Sequence, residues 1–89
     1  MGTLTLNDGT VFQDSSAIVS SGNLFVYVQQ AGTTLTDVFN AFVDPEKTAR
    51  IVFTQVNGEE ISFPNYEKLI AVRDEDGGLF TAVLKKAVS

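Results

Sequence analysis

One stretch of this chain, and only one, has its apolar residues spaced for a helix. Leu35, Val38, Phe39, Phe42 and Val43 fall at i, i+3, i+4, i+7 and i+8, the stripe that lines one face of a 3.6-residue period. Thr34 stands three residues before Asp37, an approximate capping box with Asp in place of the usual Glu. Pro45 biases Asp44 away from helical ψ, so the predicted helix stops near Val43 after about two and a half turns. A helix that short does not hold together alone in water. It has to lie on a sheet, and the spacing predicts both Phe rings pressed inward. Asp44-Pro45-Glu46-Lys47 then has the form of a second start, an N-cap followed by Pro at the first helical position, and predicts a single turn.

The rest of the chain alternates with a period of two. Thr3-Leu4-Thr5-Leu6, then Asn7-Asp8-Gly9-Thr10, then Val11-Phe12 read as an opening hairpin whose turn residues tolerate positive φ. Ala17-Ile18-Val19 is a second short extended segment, Ser20-Ser21-Gly22-Asn23 a turn, and Leu24-Phe25-Val26-Tyr27-Val28 a central strand, being apolar or aromatic throughout. Residues 29–33 form a loop. Beyond Arg50, residues 51–56 and 59–63 flank Asn57-Gly58, a strong short hairpin signal, with Ile51 and Phe53 facing Ile61 and Phe63. Pro64-Asn65-Tyr66 bends the chain outward. Residues 68–73 and 79–88 make a last hairpin around Asp74-Glu75-Asp76-Gly77-Gly78. The expected fold is α+β and strand-dominated: a meander sheet of six or seven strands, built of β-hairpins, packed on one short helix at about 35–43, in a single domain over 1–89.

Composition removes reaction classes. The chain has 89 residues and neither His nor Cys, which excludes Ser-His-Asp and Cys-His nucleophilic pairs, Cys/His zinc sites and disulfides. Its hydrophobic fraction is 44% against a charged fraction of 19%, apolar for a chain so short. A domain of this size hides only about 60–65% of the surface its unfolded form exposes. The surplus of Phe, Val, Ile and Leu points to an intersubunit face. No apolar run approaches the roughly 20 residues of a membrane span. Met1-Gly2-Thr3-Leu4 lacks the basic region and long apolar stretch of a signal peptide, and Leu6 stands where a myristoylation motif needs Ser or Thr, so a cytoplasmic product is expected.

Charge is uneven. Asp8, Asp14, Asp37, Asp44 and Glu46 have no basic residue before them, whereas the six basic residues from Lys47 onward balance six later acids, so the net charge of −5 lies in the N-terminal half. With clustered Lys and Arg lacking, no nucleic-acid partner is expected. The acidic half suits either solvated turns or a surface that meets a basic partner.

The chemical candidates are sparse. Asp74-Glu75-Asp76-Gly77-Gly78 offers oxygen ligands beside flexible glycines, but counted as an EF-hand loop it places Gly78 at position 5 and Lys85 where the bidentate Glu belongs. A solvated turn is the simpler reading. Glu59 and Glu60 are adjacent in an extended segment, so their carboxylates diverge. Asp8 and Asp14 lie near a turn without a partner of contrasting acidity. Ser20-Ser21-Gly22 lacks both the flanks of a nucleophile elbow and a base. Tyr27 and Tyr66 with Arg73 can stack a ligand or peptide, or stand as half-buried sheet residues whose hydroxyls reach water. No catalytic, cofactor-binding or metal-binding residue is assigned, no cofactor is expected, and the chain reads as a non-enzyme.

The segments Leu4-Thr5-Leu6-Asn7-Asp8-Gly9-Thr10, Asp37-Val38-Phe39-Asn40-Ala41-Phe42-Val43-Asp44-Pro45-Glu46-Lys47-Thr48-Ala49-Arg50-Ile51 and Tyr66-Glu67-Lys68-Leu69-Ile70 together resemble small uncharacterised proteins encoded in tail-structural gene clusters of phages and prophages of Firmicutes. The resemblance spans most of the chain. It implies a phage virion structural or assembly protein, associated with tail or baseplate, made in the host cytoplasm and located in the virion. Its partners would be other phage structural proteins and copies of itself, with no membrane involved. It carries no catalytic residue. The alternative is a monomeric acidic binding module or inhibitor that meets a basic surface.

Overall fold

Gly and Asx residues decide where the strands of this chain turn. In the computed structural model, which describes residues 2–86, Gly9 (φ 94°) and Gly58 (φ 91°) occupy the same place in two hairpins. In the first, the Gly9 amide donates to the Leu6 carbonyl at 3.0 Å and the Leu6 amide to Thr10 at 2.8 Å. In the second, Gly58 donates to Gln55 at 2.9 Å and Gln55 to Glu59 at 2.8 Å. Asp8 Oδ1 and Asn57 Oδ1 each accept the amide two residues on, at 3.0 Å, the Asx turn that a short polar side chain makes with its own backbone. The similar turn residues therefore encode one geometry. The tighter turn at Ser21 (φ 52°) and Gly22 (φ 80°) has both central residues left-handed, the type I′ form that matches strand twist.

These turns join β1 (Gly2–Thr5), β2 (Val11–Ser20) and β3 (Asn23–Val28); then come α1 (Leu35–Val43), α2 (Pro45–Thr48), β4 (Arg50–Thr54), β5 (Glu60–Pro64), β6 (Lys68–Asp74) and β7 (Phe80–Lys85). Among the described residues the strands form one antiparallel sheet in the order β5-β4-β1-β2-β3-β7-β6. The N-terminal meander is its centre. The β4–β5 hairpin adds to the β1 edge and the β6–β7 hairpin to the β3 edge, so the fold is the strand-dominated α+β sheet that the periodicities predict.

Three expectations need correction. The segment at 17–19 is not a separate strand but the second half of β2, whose ten residues run through a bulge at Asp14 (φ 49°). An acidic residue at positive φ lets the strand bend there instead of ending. The last strand ends at Lys85, and the expected extension to 88 falls partly outside the described residues, at 87–88. The third correction is Phe39. It is 47% exposed, as are Leu35 and Val43 at 40% and 44%, because the sheet covers only one side of the helix and the apolar arc runs on past that side. Ile51 and Phe53 do pair with Phe63 and Ile61, although Ile61 is exposed at that corner.

One core lies between the inner face of the sheet and α1. Leu4, Leu24, Val26, Val28, Ile51 and Leu84 project from the strands, and Val38, Ala41 and Phe42 from the helix. Phe42 stacks on Phe12 of β2, centroids 5.7 Å apart and planes 18° apart, a contact worth about 0.5–1.5 kcal/mol beyond its buried area. The predicted capping box is complete: Thr34 Oγ1 accepts the Asp37 amide at 3.2 Å, and Asp37 Oδ2 accepts the Thr34 amide at 3.1 Å. Asp44 stops α1 and caps α2, its Oδ1 accepting from the Glu46 amide at 3.0 Å with Pro45 in the first turn. No helix among the described residues is long and apolar enough to cross a membrane.

Candidate interaction surfaces

The polar residues singled out in the sequence do not converge. Among the described residues, no group of three or more Asp, Glu, His or Cys side chains could hold a metal ion. Within 74–78, Asp74 Oδ1 accepts the Asp76 amide at 3.0 Å and Glu75 pairs with Arg73 at 3.3 Å, so the first two carboxylates are already engaged in turn geometry and an ion pair. Asp14 sits at the β2 bulge, while Asp8 faces Lys47 at 4.0 Å. Hydrogen bonds from the Thr10 amide and then the Thr10 side chain hold the Asp8 carboxyl below its ordinary value, with a lesser contribution from the Lys47 ammonium and an opposing one from desolvation. Ser21 and Gly22 form the β2–β3 turn. Glu60 pairs with Thr54 on an edge strand, and Glu59 belongs to the turn beside it.

Tyr27 and Arg73 do come together, but without Tyr66. Tyr66 lies in the segment joining β5 to β6, where it is buried in the core; it meets Phe63 edge-on at 6.4 Å and lies under the Lys86 ammonium at 5.6 Å. It is therefore neither half-buried nor in the sheet. Tyr27 and Arg73 line the outer face, the side that α1 leaves uncovered.

That outer face is built by register. Ile18 of β2 stands opposite Phe25 of β3, Phe25 opposite Val83 of β7, and Val83 opposite Ala71 of β6. Because directly opposed residues share a face, these four make an apolar row across four adjacent strands. One row to one side runs Ser16, Tyr27, Thr81, Arg73; one row to the other runs Ser20, Asn23, Lys85, Lys68. A shallow hollow of about 270 Å³ opens in this face, lined by Phe25, Tyr27, Leu79 and Val83 together with Arg73, Glu75 and Thr81. Of the twelve positions in the three rows, three are cationic and none is anionic. Lys68 and Lys85 stand directly opposite each other, a like-charge pair that costs stability until an anion lies between them.

The second surface is the uncovered side of α1. At 100° per residue, its apolar side chains fill an arc of roughly 200°. Val38, Ala41 and Phe42 occupy the buried part, and Leu35, Phe39 and Val43 the exposed part. Leu35, Thr36 and Phe39 form, with Val72 of β6, a groove of about 250 Å³. Residues 35–46 contain Asp37, Asp44 and Glu46 and no basic residue, so acids stand at both ends of the apolar stripe, where Asp37 and Asp44 are capping residues. The spacing of the apolar residues marks the helix but not this division, although one signal is present: six apolar residues in nine exceed what a helix with a single covered face requires. A matching signal lies in β3, whose unbroken apolar run is the pattern of a strand covered on both faces. No protein-family model matches this chain, and no curated protein or solved structure shows significant similarity to it.

Proposed function

We propose that this chain is a non-enzymatic structural or assembly subunit, associated with a phage tail or baseplate, that acts through protein–protein contacts of its sheet and helix. The observation that carries this reading is the pair of apolar surfaces, one on each side of the sheet, formed by residues that the fold leaves exposed or half-buried. A contiguous exposed apolar patch with a polar rim is the mark of an interaction site. The resemblance of the segments around Asp8, Asp44 and Tyr66 to phage tail-cluster proteins supplies the biological setting.

The test is the solution mass of the purified protein by light scattering, over a concentration series and at low and high salt. A closed or extended assembly that survives high salt is expected, since apolar contacts are not screened. A strict 9.6 kDa monomer under all conditions would overturn the self-assembling subunit and favour the acidic binding module. Salt-sensitive capture of a basic partner would be its signature.

A further inference from the structure

We infer that the two uncovered surfaces are complementary halves of one contact: the Leu35, Phe39 and Val43 side of α1 in one copy docks on the outer face of β2, β3, β7 and β6 in a second copy. This rests on the reading of the chain as an assembly subunit and names the partner and the faces it uses. Size, pattern and charge each support the match. Leu35 to Val43 spans eight residue rises, about 12 Å, and the Ile18, Phe25, Val83, Ala71 row spans three strand spacings, about 14 Å. The hollow among Phe25, Tyr27, Leu79 and Val83, about 270 Å³, has room for the Phe39 ring, since a cavity of about 150 Å³ already takes benzene.

Pattern points the same way. β3 is apolar on both faces along most of its length, as in a strand packed between two layers, and β7 adds Val83 beside it on the outer face. α1 is apolar over half its circumference, as in a helix packed between two sheets. Docking supplies the missing layer to both at once. The unpaired charges are opposite in sign, with Lys68 and Lys85 on the sheet face and Asp37, Asp44 and Glu46 at the two ends of the helix, while Arg73 is already paired with Glu75. Among the described residues neither Lys68 nor Lys85 lies within ion-pair distance of a carboxylate, so a helix with acidic ends would relieve their mutual repulsion.

The stripe and the outer face lie on opposite sides of the sheet. A contact between them therefore relates copies head to tail, giving a ring where the rotation closes and a filament where it does not. This is distinct from a two-fold contact, in which one patch meets itself.

The distinction makes the experiment decisive. Phe39→Glu removes the knob and leaves the hollow; Val83→Glu removes the hollow and leaves the knob. Ile18→Glu is a second hollow-side variant, at a position 57% exposed, in case a charge at Val83 disturbs the sheet. Circular dichroism establishes that each variant is folded, and sedimentation gives its mass. Each variant alone is expected to be monomeric, and a one-to-one mixture of a knob variant with a hollow variant to form a species of twice the monomer mass through its one intact contact. The milder Phe39→Ala should weaken wild-type association roughly thirtyfold, as expected for a hot-spot aromatic. If folded variants assemble like the wild type, or are monomeric singly and remain so when mixed, head-to-tail docking is overturned while the subunit reading stands. If the wild type itself never exceeds monomer mass, the subunit reading falls and the docking with it.

Discussion

Phe39 and Phe42 lie three residues apart on one helix and have opposite environments. Phe42 is fully buried against Phe12, whereas almost half of Phe39 faces solvent. Phe42→Ala is expected to cost about 3–5 kcal/mol, the loss of a buried ring plus the cavity it leaves. Phe39→Ala should stay within about 1 kcal/mol, as a surface change does. Thermal or urea unfolding of the two variants under monomeric conditions checks this, and equal losses would mean that Phe39 is buried as well. Gly2 is a second position where environment outweighs residue type. It lies in β1 so close to β4 that a methyl group there would overlap the Thr54 carbonyl oxygen and press on the Phe53 ring. Nothing in the spacing of the sequence marks that glycine, because the approach comes from residues more than fifty positions away.

At the scale of elements, local chemistry sets the boundaries. Thr34 and Asp37 cap α1 reciprocally, Asp44 ends it and begins α2, and Pro45 occupies the position where a missing N–H costs nothing. Thr34→Ala should remove about 1 kcal/mol of stability through one lost cap; a variant as stable as the parent would show that packing alone holds the helix end. The turns obey the same local rules. Asp8 and Asn57 accept the amide two residues on, and the glycine beside each takes the left-handed conformation. Asp14 is the exception, since a carboxylate residue in a polar stretch reads as a break, yet the strand continues through it as a bulge. The Gln30 side chain accepts the neighbouring Gln13 amide at 2.7 Å and the Gln29 amide donates to the Asp14 carbonyl at 3.1 Å. That pairing between distant segments stabilises a conformation the local sequence does not favour.

At the scale of the whole molecule, sheet order determines what is stable and what is available. β1, β2 and β3 form the centre of the sheet, each paired on both sides, whereas β5 and β6 are the edges. Native-state hydrogen exchange should therefore show the slowest amides in β1, β2 and β3, exchanging only with global unfolding, and faster local opening in β5 and β6. Equal protection throughout would mean that the sheet opens as one unit. Edges also invite wrong pairing. β5 ends in Pro64 and starts with Glu60, and β6 carries a bulge and the charges of Lys68, Arg73 and Asp74, devices that discourage edge-to-edge association. The sheet and helix faces carry no such protection.

The sequence by itself determined the elements: one helix from a single 3.6-residue stripe between a capping box and a proline, and strands from period-two runs between glycine-bearing turns. These signals are local, since each depends on residues within a few positions of one another. It also carried, undeciphered, the surplus of apolar residues in α1 and β3. Only the tertiary structure decided that β4 pairs with β1 and β7 with β3, which of the two faces of each strand α1 covers, and that Ile18, Phe25, Val83 and Ala71 form one row while Leu35, Phe39 and Val43 remain outside. Those outcomes depend on register between segments up to about sixty residues apart, and a shift of one residue would have exchanged the buried and exposed sets. The candidate surfaces are therefore a property of the assembled sheet, composed of residues that appear in the sequence only as ordinary core formers.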